Sequence, residues 1–304
     1  MSAAGGGAQL STGMVIATPV TRRTRPLTGL RATGVAGMVS AAVIAIATFV
    51  AIFGPLLAPY NPNLPNLSLA WVGPVGGHLL GFDFQGRDVF SRLLAGAQSS
   101  MLGPLAVVVL AMIAGAVLAV VAAWRRGAAD AVISSGLDIL FAFPGILLAV
   151  LATAVFGAGL TAAAIALSIA YMPYVARVLR GVALRERSQP YIAALEVQGS
   201  SATVICLRHL IPNLLPLIVA QGTIMFGWAM VDLAAISYLG LGVQPPQANW
   251  GVMISENQTG ILQGYPLPAL SAGCASWRWS SRSTCSASGC SPRPRRRAGE
   301  RAGE

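Results

Sequence analysis

The chain has 304 residues, 55% hydrophobic and only 10% charged, with a mean hydropathy of +0.68. Soluble domains carry about 25% charged residues, so this composition excludes an ordinary soluble protein and points to a polytopic membrane protein. The formal net charge is +10 and all the basic residues are arginine; without lysine there is no P-loop, and arginines lying between apolar segments argue against a nucleic-acid-binding face.

Residues 1–33 are rich in Gly, Ala, Ser and Thr and are expected to form a disordered N-terminal tail. A bilayer crossing needs about 20 mostly apolar residues. Five segments meet that length: about 34–58, 99–123, 132–156, 159–180 and 213–239. The first is too long for the apolar core of a signal peptide and is read as a retained anchor. Arg22, Arg23, Arg25 and Arg31 precede it, Arg125 and Arg126 follow the second span, and Arg177, Arg180, Arg185, Arg187 and Arg208 surround the polar loop after the fourth. By the positive-inside rule the N-terminus and that loop are cytoplasmic. Arg87 and Arg92 break the pattern. They lie in the long segment of about 60–98, expected to be an ordered external element with its own salt links.

Pro144, Pro173 and Pro216 fall inside spans. Each frees a backbone carbonyl that neighbours or a watery cavity must satisfy, which favours a bundle lining a pathway. Asp138 and Asp232 are intramembrane carboxylates and should face the bundle interior or an end; helix packing and a direct part in substrate passage are both open for them. Cys206, Cys274, Cys285 and Cys290 fit no zinc spacing, and with only His78 and His209 in the chain no metal site is expected.

Three motifs carry a family resemblance. The run His78 to Ser100, HLLGFDFQGRDVFSRLLAGAQSS, holds Gly81, Asp83, Gly86, Arg87, Asp88, Ser91 and Arg92; Asp88 and Arg92 stand four apart and can pair on one helical face. Tyr191 to Asn213, YIAALEVQGSSATVICLRHLIPN, is an amphipathic loop in which Gly199 suits a chain reversal and Pro212 suits a helix start. Ser237 to Glu256, SYLGLGVQPPQANWGVMISE, has a double proline that stops the fifth span. Together with AFPG at Ala142 to Gly145, these runs resemble the permease subunits of dipeptide and oligopeptide ABC importers, of the permease C type. The resemblance covers about residues 35–272.

It implies an all-α polytopic helix bundle of the MetI-like kind, with a permease domain over 34–272. The segment of about 60–98 becomes an outer folded element near a docked binding protein, and the stretch of about 181–212 a loop coupled to an ATPase. Within that loop the implied contact residues are Ala193, Ala194, Glu196, Gly199, Arg208, His209 and Pro212. Ala193 stands where the family usually has Glu, Leu195 replaces an alanine, and Glu196 lies on a nearby helical face. The implied function is the channel subunit of an ATP-driven importer of dipeptides or oligopeptides in the cell membrane. The chain is itself no enzyme and holds no cofactor; ATP and magnesium belong to partner subunits. Those partners are a second permease, two ATP-binding subunits and an extracytoplasmic binding protein, with membrane lipid and no nucleic acid. Alternatives within the class are nickel, glutathione or opines as substrate; outside it, an inactive relic or scaffold.

The family has a sixth span after the position of Leu270. Residues 273–304 are instead rich in Arg, Ser and Cys, with Arg278 and Arg282 near where a span would have its middle. Back-translated into GC-rich codons around Trp277 and Trp279 and shifted by two bases, the stretch reads as an apolar span, so the tail is expected to be a frameshift product. The alternative is a basic tail drawn to anionic lipid.

Overall fold

The computed structural model describes residue 49 and residues 51–288, with side chains to residue 281. The expected N-terminal tail and most of the first span lie outside the described residues. Residues 51–57 are helical and lead into an irregular segment, with a 3-10 turn at Leu67–Leu69. Ten α-helices follow: α1 Val89–Arg125, α2 Gly127–Phe141, α3 Gly145–Phe156, α4 Leu160–Arg187, α5 Pro190–Val197, α6 Ala202–Ile205, α7 Ile211–Tyr238, α8 Trp250–Glu256, α9 Gln258–Leu262 and α10 Leu267–Ser288. A π-helical turn, Cys206–Leu210, joins α6 to α7. No β-strand occurs among the described residues, only two isolated bridges, Val75 with His78 and Phe82 with Asp88.

Local sequence explains where the helices start and stop. Asp88 caps α1, its carboxylate accepting a hydrogen bond from the Ser91 backbone N–H at 2.8 Å, which satisfies one of the first-turn donors. The chain leaves α1 through Arg126 and Gly127, both at positive φ. Pro144 then splits the expected third span. With no N–H to give the preceding turn it begins a new helix, and α2 and α3 meet at 81°.

The count of five spans is not confirmed, since most of the first expected span lies outside the described residues. Among the described residues three helical stretches are long and apolar enough to cross a membrane: Val89–Arg125, Leu160–Arg187 and Ala202–Tyr238. The bent pair α2–α3 raises the number to four if it is one span. Pro212 falls in the first turn of α7, and the candidate span reaches back from there through the π turn to Ala202.

The core lies between α1, α4 and α7, with α3 against α4. Its buried residues are mostly small or branched, among them Val107, Val108 and Ala111 from α1, Ala163, Ala164, Leu167 and Val175 from α4, and Met225, Ala229, Leu233 and Ile236 from α7. Small residues let helix backbones approach where lipid gives no hydrophobic drive. At Gly115 a β-carbon would sit 2.7 Å from Val175 Cβ, so the α1–α4 crossing is closed around the missing side chain. Helix α10 packs on α7 and α8, with Trp279 edge-on to Phe226 at 6.3 Å. It continues well past residue 273 but is not among the helices apolar enough to cross a membrane.

Candidate functional site

Two polar structures occupy opposite ends of the bundle, and a third lies between them. At the α1 N-terminal end, the chain from Asn66 to Arg92 folds on itself. Gly81 and Gly86 both adopt φ of +70°, and a β-carbon at Gly86 would fall 1.7 Å from the Asn66 carbonyl oxygen. Only glycine fits there, on both conformational and steric grounds.

The tight loop aims Asp83 at its own arginine. Asp83 Oδ1 accepts the backbone N–H of Gln85 and of Arg87, each at 2.9 Å, and Oδ2 accepts Arg87 Nε at 2.6 Å. Arg87 Nη2 and Arg92 Nη2 both donate to Glu256 Oε2, at 2.8 and 3.0 Å. Arg92 also donates through Nη1 to the carbonyls of Pro62 and Pro246. The side chains of Arg87, Arg92 and Asp83 are at most 1% exposed. Two buried cations are thus matched by two carboxylates, Asp83 and Glu256.

The expected pairing of Asp88 with Arg92 does not form. Asp88 is committed to the helix cap through one oxygen and to His78 Nδ1 through the other, at 2.9 Å. His78 stacks on Tyr60 and tilts against Phe82. Ser91 Oγ accepts the Tyr60 N–H at 3.1 Å, tying the preceding segment to α1.

The motif of residues 237–256 closes on the same place. Asn249 caps α8 by accepting the Gly251 N–H, and its amide donates to Ser99 Oγ. Ser99 Oγ donates to the Ala248 carbonyl, Ser100 Oγ accepts the Trp250 N–H, and the Trp250 indole donates to the Leu93 carbonyl. Glu256, Asn249 and Asn257 therefore belong to this structure, although local spacing gives none of them a role. Asn257 Oδ1 receives the Phe84 N–H at 3.3 Å.

At the other end, α5 and α6 form the loop between α4 and α7. Gly199 turns the chain between them at φ +79°. The loop is clasped at its root: Tyr191 Oη donates to Glu186 Oε1 at 2.7 Å, and Asn213 Nδ2 donates to the same oxygen at 2.8 Å and to Tyr191 Oη at 3.0 Å. Burial, then the Glu186 carboxylate, push the Tyr191 hydroxyl up to about 12. Arg187 Nη1 donates to the Ala123 carbonyl at 2.9 Å and to the Trp124 carbonyl, and its guanidinium lies over the Trp124 ring. The end of α4 is thereby fixed to the end of α1.

Beyond the root the loop is open. Ala193, Ala194, Glu196, Gly199, Arg208 and Pro212 are exposed, and His209 is half-buried 6.4 Å from the Tyr191 ring. Val197 and Leu207 project from the same loop at 90% and 68% exposure.

The two carboxylates expected within the membrane part company. Asp138 pairs with Arg177 at 2.6 Å with both side chains more than half exposed, so it faces outward from the helices rather than into their interior. Asp232 is half-buried on α7 and accepts the Tyr171 hydroxyl of α4 at 2.6 Å. Tyr171 is a partner that periodicity did not single out.

Comparison with known proteins gives this geometry a setting. Residues 108–277 match a family described as the binding-protein-dependent transport system inner membrane component. Residues 35–73 match the N-terminal transmembrane domain of oligopeptide transport permease C. A probable D,D-dipeptide transport system permease protein of Escherichia coli K12 is 34% identical over 223 residues, 73% of this chain and 75% of that protein. A dipeptide transport system permease protein of Alkalihalophilus pseudofirmus is 36% identical over 233 residues, 76% of each. A glutathione transport system permease protein of Escherichia coli O6:K15:H31 is 38% identical over 232 residues, 74% of this chain and 75% of that protein.

Proposed function

The chain belongs to the family of binding-protein-dependent transport system inner membrane components, and from that premise we propose that it is the membrane channel subunit of an ATP-driven importer of dipeptides or oligopeptides. The observation that carries the substrate class is the alignment over about three quarters of both chains with permeases named for dipeptides. Its working partners are a second permease, two ATP-binding subunits and an extracytoplasmic binding protein. ATP and magnesium act on the ATP-binding subunits, and this chain supplies motion rather than chemistry.

The geometry supports a division of labour between the two ends. The open loop of residues 190–210 is the surface on which an ATP-binding subunit pushes, through Ala193, Ala194, Glu196, Arg208 and His209. With the Glu186–Tyr191–Asn213 clasp at its root, displacement of the loop is delivered to α4 and α7 together. The arginine-rich loop end and the N-terminus are then cytoplasmic. The ionic tie of Arg87, Arg92, Asp83 and Glu256 lies outside, where it holds a rigid platform for the binding protein. Rocking of α1, α4 and α7 about their small-residue contacts gives alternating access.

The test is uptake of a labelled dipeptide by cells lacking the gene and complemented with it. Restored uptake that depends on the neighbouring ATP-binding subunits supports the reading. Stable insertion with no uptake of any peptide overturns it and favours a scaffold or relic. Glutathione is a second reading, favoured by the relatives named for glutathione transport; selective uptake of glutathione over dipeptides decides for it.

A further inference from the structure

Asp232 is a carboxylate without a cation. Of the seven ion pairs among the described residues, none involves it. Its partner is the neutral Tyr171 hydroxyl at 2.6 Å. It lies within the helical run Ala202–Tyr238, which is apolar enough to cross a membrane. A charged group there costs several kcal/mol unless water or a counter-charge meets it, and such groups face water-filled cavities or pathways.

The surroundings of Asp232 have a consistent chemistry. On α7, Gln221 and Trp228 stand eleven and four residues before Asp232, close to whole helical turns, so all three share one face. On α4, Tyr174 lies one turn beyond Tyr171; its hydroxyl donates to Gln221 Oε1 at 3.2 Å and its ring meets Trp228 edge-on at 5.7 Å. Met230, two positions from Asp232 and so turned to the other side of α7, packs with Ala51 and Trp250. Leu233 enters the α1–α4 core. The polar aromatic face is therefore the side of α7 not used for packing on α1, α8 and α10, and Trp228 remains 48% exposed on it.

From this juxtaposition we infer that the Tyr171–Tyr174–Gln221–Trp228–Asp232 face lines the translocation pathway and that Asp232 receives the primary ammonium of the substrate in transit. A carboxylate oxygen offers a charge-assisted hydrogen bond to an ammonium. The Tyr174 and Trp228 rings offer cation–π faces beside it. Gln221 provides amide hydrogen bonds suited to a peptide backbone. This inference rests on the proposed importer function and adds to it the group recognised within the membrane. The Tyr171 hydroxyl holds the carboxylate in place between passages and makes Tyr171 a positioning residue.

The experiment uses the assembled transporter in proteoliposomes, comparing wild type with Asp232→Asn, Asp232→Glu and Tyr171→Phe at equal amounts of assembled complex. Maximal uptake of a free-amino dipeptide is expected to fall about tenfold in Asp232→Asn, the loss of one charge-assisted contact. Asp232→Glu restores most of it, and Tyr171→Phe, which keeps the charge, stays within about threefold of wild type. Saturation-transfer NMR on the same transporter without binding protein is expected to show contact with the free-amino dipeptide, lost on N-acetylation and lost in Asp232→Asn.

Equal uptake by wild type and Asp232→Asn overturns the inference and leaves the importer reading standing. So does a Tyr171→Phe defect as large as that of Asp232→Asn, which marks a helix-packing role. If Asp232→Asn fails to assemble with the second permease, the carboxylate serves a subunit contact and the inference is again overturned. No uptake by wild type removes the importer reading itself.

Discussion

At the scale of single residues, the decisive interactions join groups far apart in sequence. Glu256 accepts from both Arg87 and Arg92 at 2.8 and 3.0 Å, across more than 160 positions. Removing one partner of a buried pair leaves an uncompensated charge, which typically costs about 3–5 kcal/mol. Glu256→Gln is therefore expected to destabilise the detergent-solubilised protein by about that amount, read as a drop in the thermal unfolding midpoint. Because Arg92 also bonds to the Pro62 and Pro246 carbonyls, the segments around residues 62 and 246 should become accessible to protease in the same variant. A variant as stable as wild type would show that Asp83 alone suffices for both arginines.

The pairing also shows what a local reading of sequence reaches. The glycines and charged residues of the Gly81–Arg92 motif are legible as a folded element. The i,i+4 spacing of Asp88 and Arg92 nevertheless pointed to a pair that does not exist. The capping demand of α1 takes Asp88, since an unsatisfied first-turn N–H is costly, and burial sends Arg92 to Glu256. Neither competing demand is visible in helical spacing. The Tyr171–Asp232 bond was hidden for the same reason, because which faces of α4 and α7 meet is set by the packing of the whole bundle.

At the scale of elements, the α1–α4 crossing and the loop clasp can each be tested alone. Gly115→Ala places a methyl group 2.7 Å from Val175 Cβ and 3.1 Å from the Ala176 backbone nitrogen. The backbone nitrogen cannot turn aside as a side-chain tip could, so the helices must separate. Overpacking of this kind costs about 1–3 kcal/mol, and Val175→Ala in the same chain should recover part of it.

The clasp has a pH signature. The Tyr191 hydroxyl is raised from its ordinary 10.0 to about 12, so the folded loop favours the neutral phenol. Its contribution is complete below about pH 10 and is lost as pH rises through about 12. Hydrogen exchange of residues 190–213 should accordingly be flat from neutral pH to about 10, after correction for intrinsic rates, and rise above that. Tyr191→Phe should be loose throughout, with no such step. A step that persists without the phenol would place its origin elsewhere.

At the scale of the whole molecule, the all-α membrane bundle was legible because twenty-residue apolar runs have few other uses. The span count was less so. Length and hydropathy merge α2 and α3 into one segment, whereas Pro144 bends them by 81°, and a proline in the sequence gives no bend angle. The far end of the chain raises the sharper question. The family match stops at residue 277, close to where the sequence turns rich in Arg, Ser and Cys. Helix α10 nonetheless docks along residues 269–279, with Ala269 and Ala272 buried against neighbours and Trp279 against Phe226. Arg278 follows one residue before that contact. A helix seated this way but carrying arginine at its middle cannot complete an apolar crossing at low cost. The shifted-frame reading replaces the same stretch with Val- and Ala-rich sequence on a helix already in position. Complementation by a frame-restored gene should therefore give more dipeptide uptake, and more protein in the membrane, than the chain as it stands. Equal uptake from both would mean that α10 functions without crossing, held by its packing on neighbouring helices, chiefly α7 and α8.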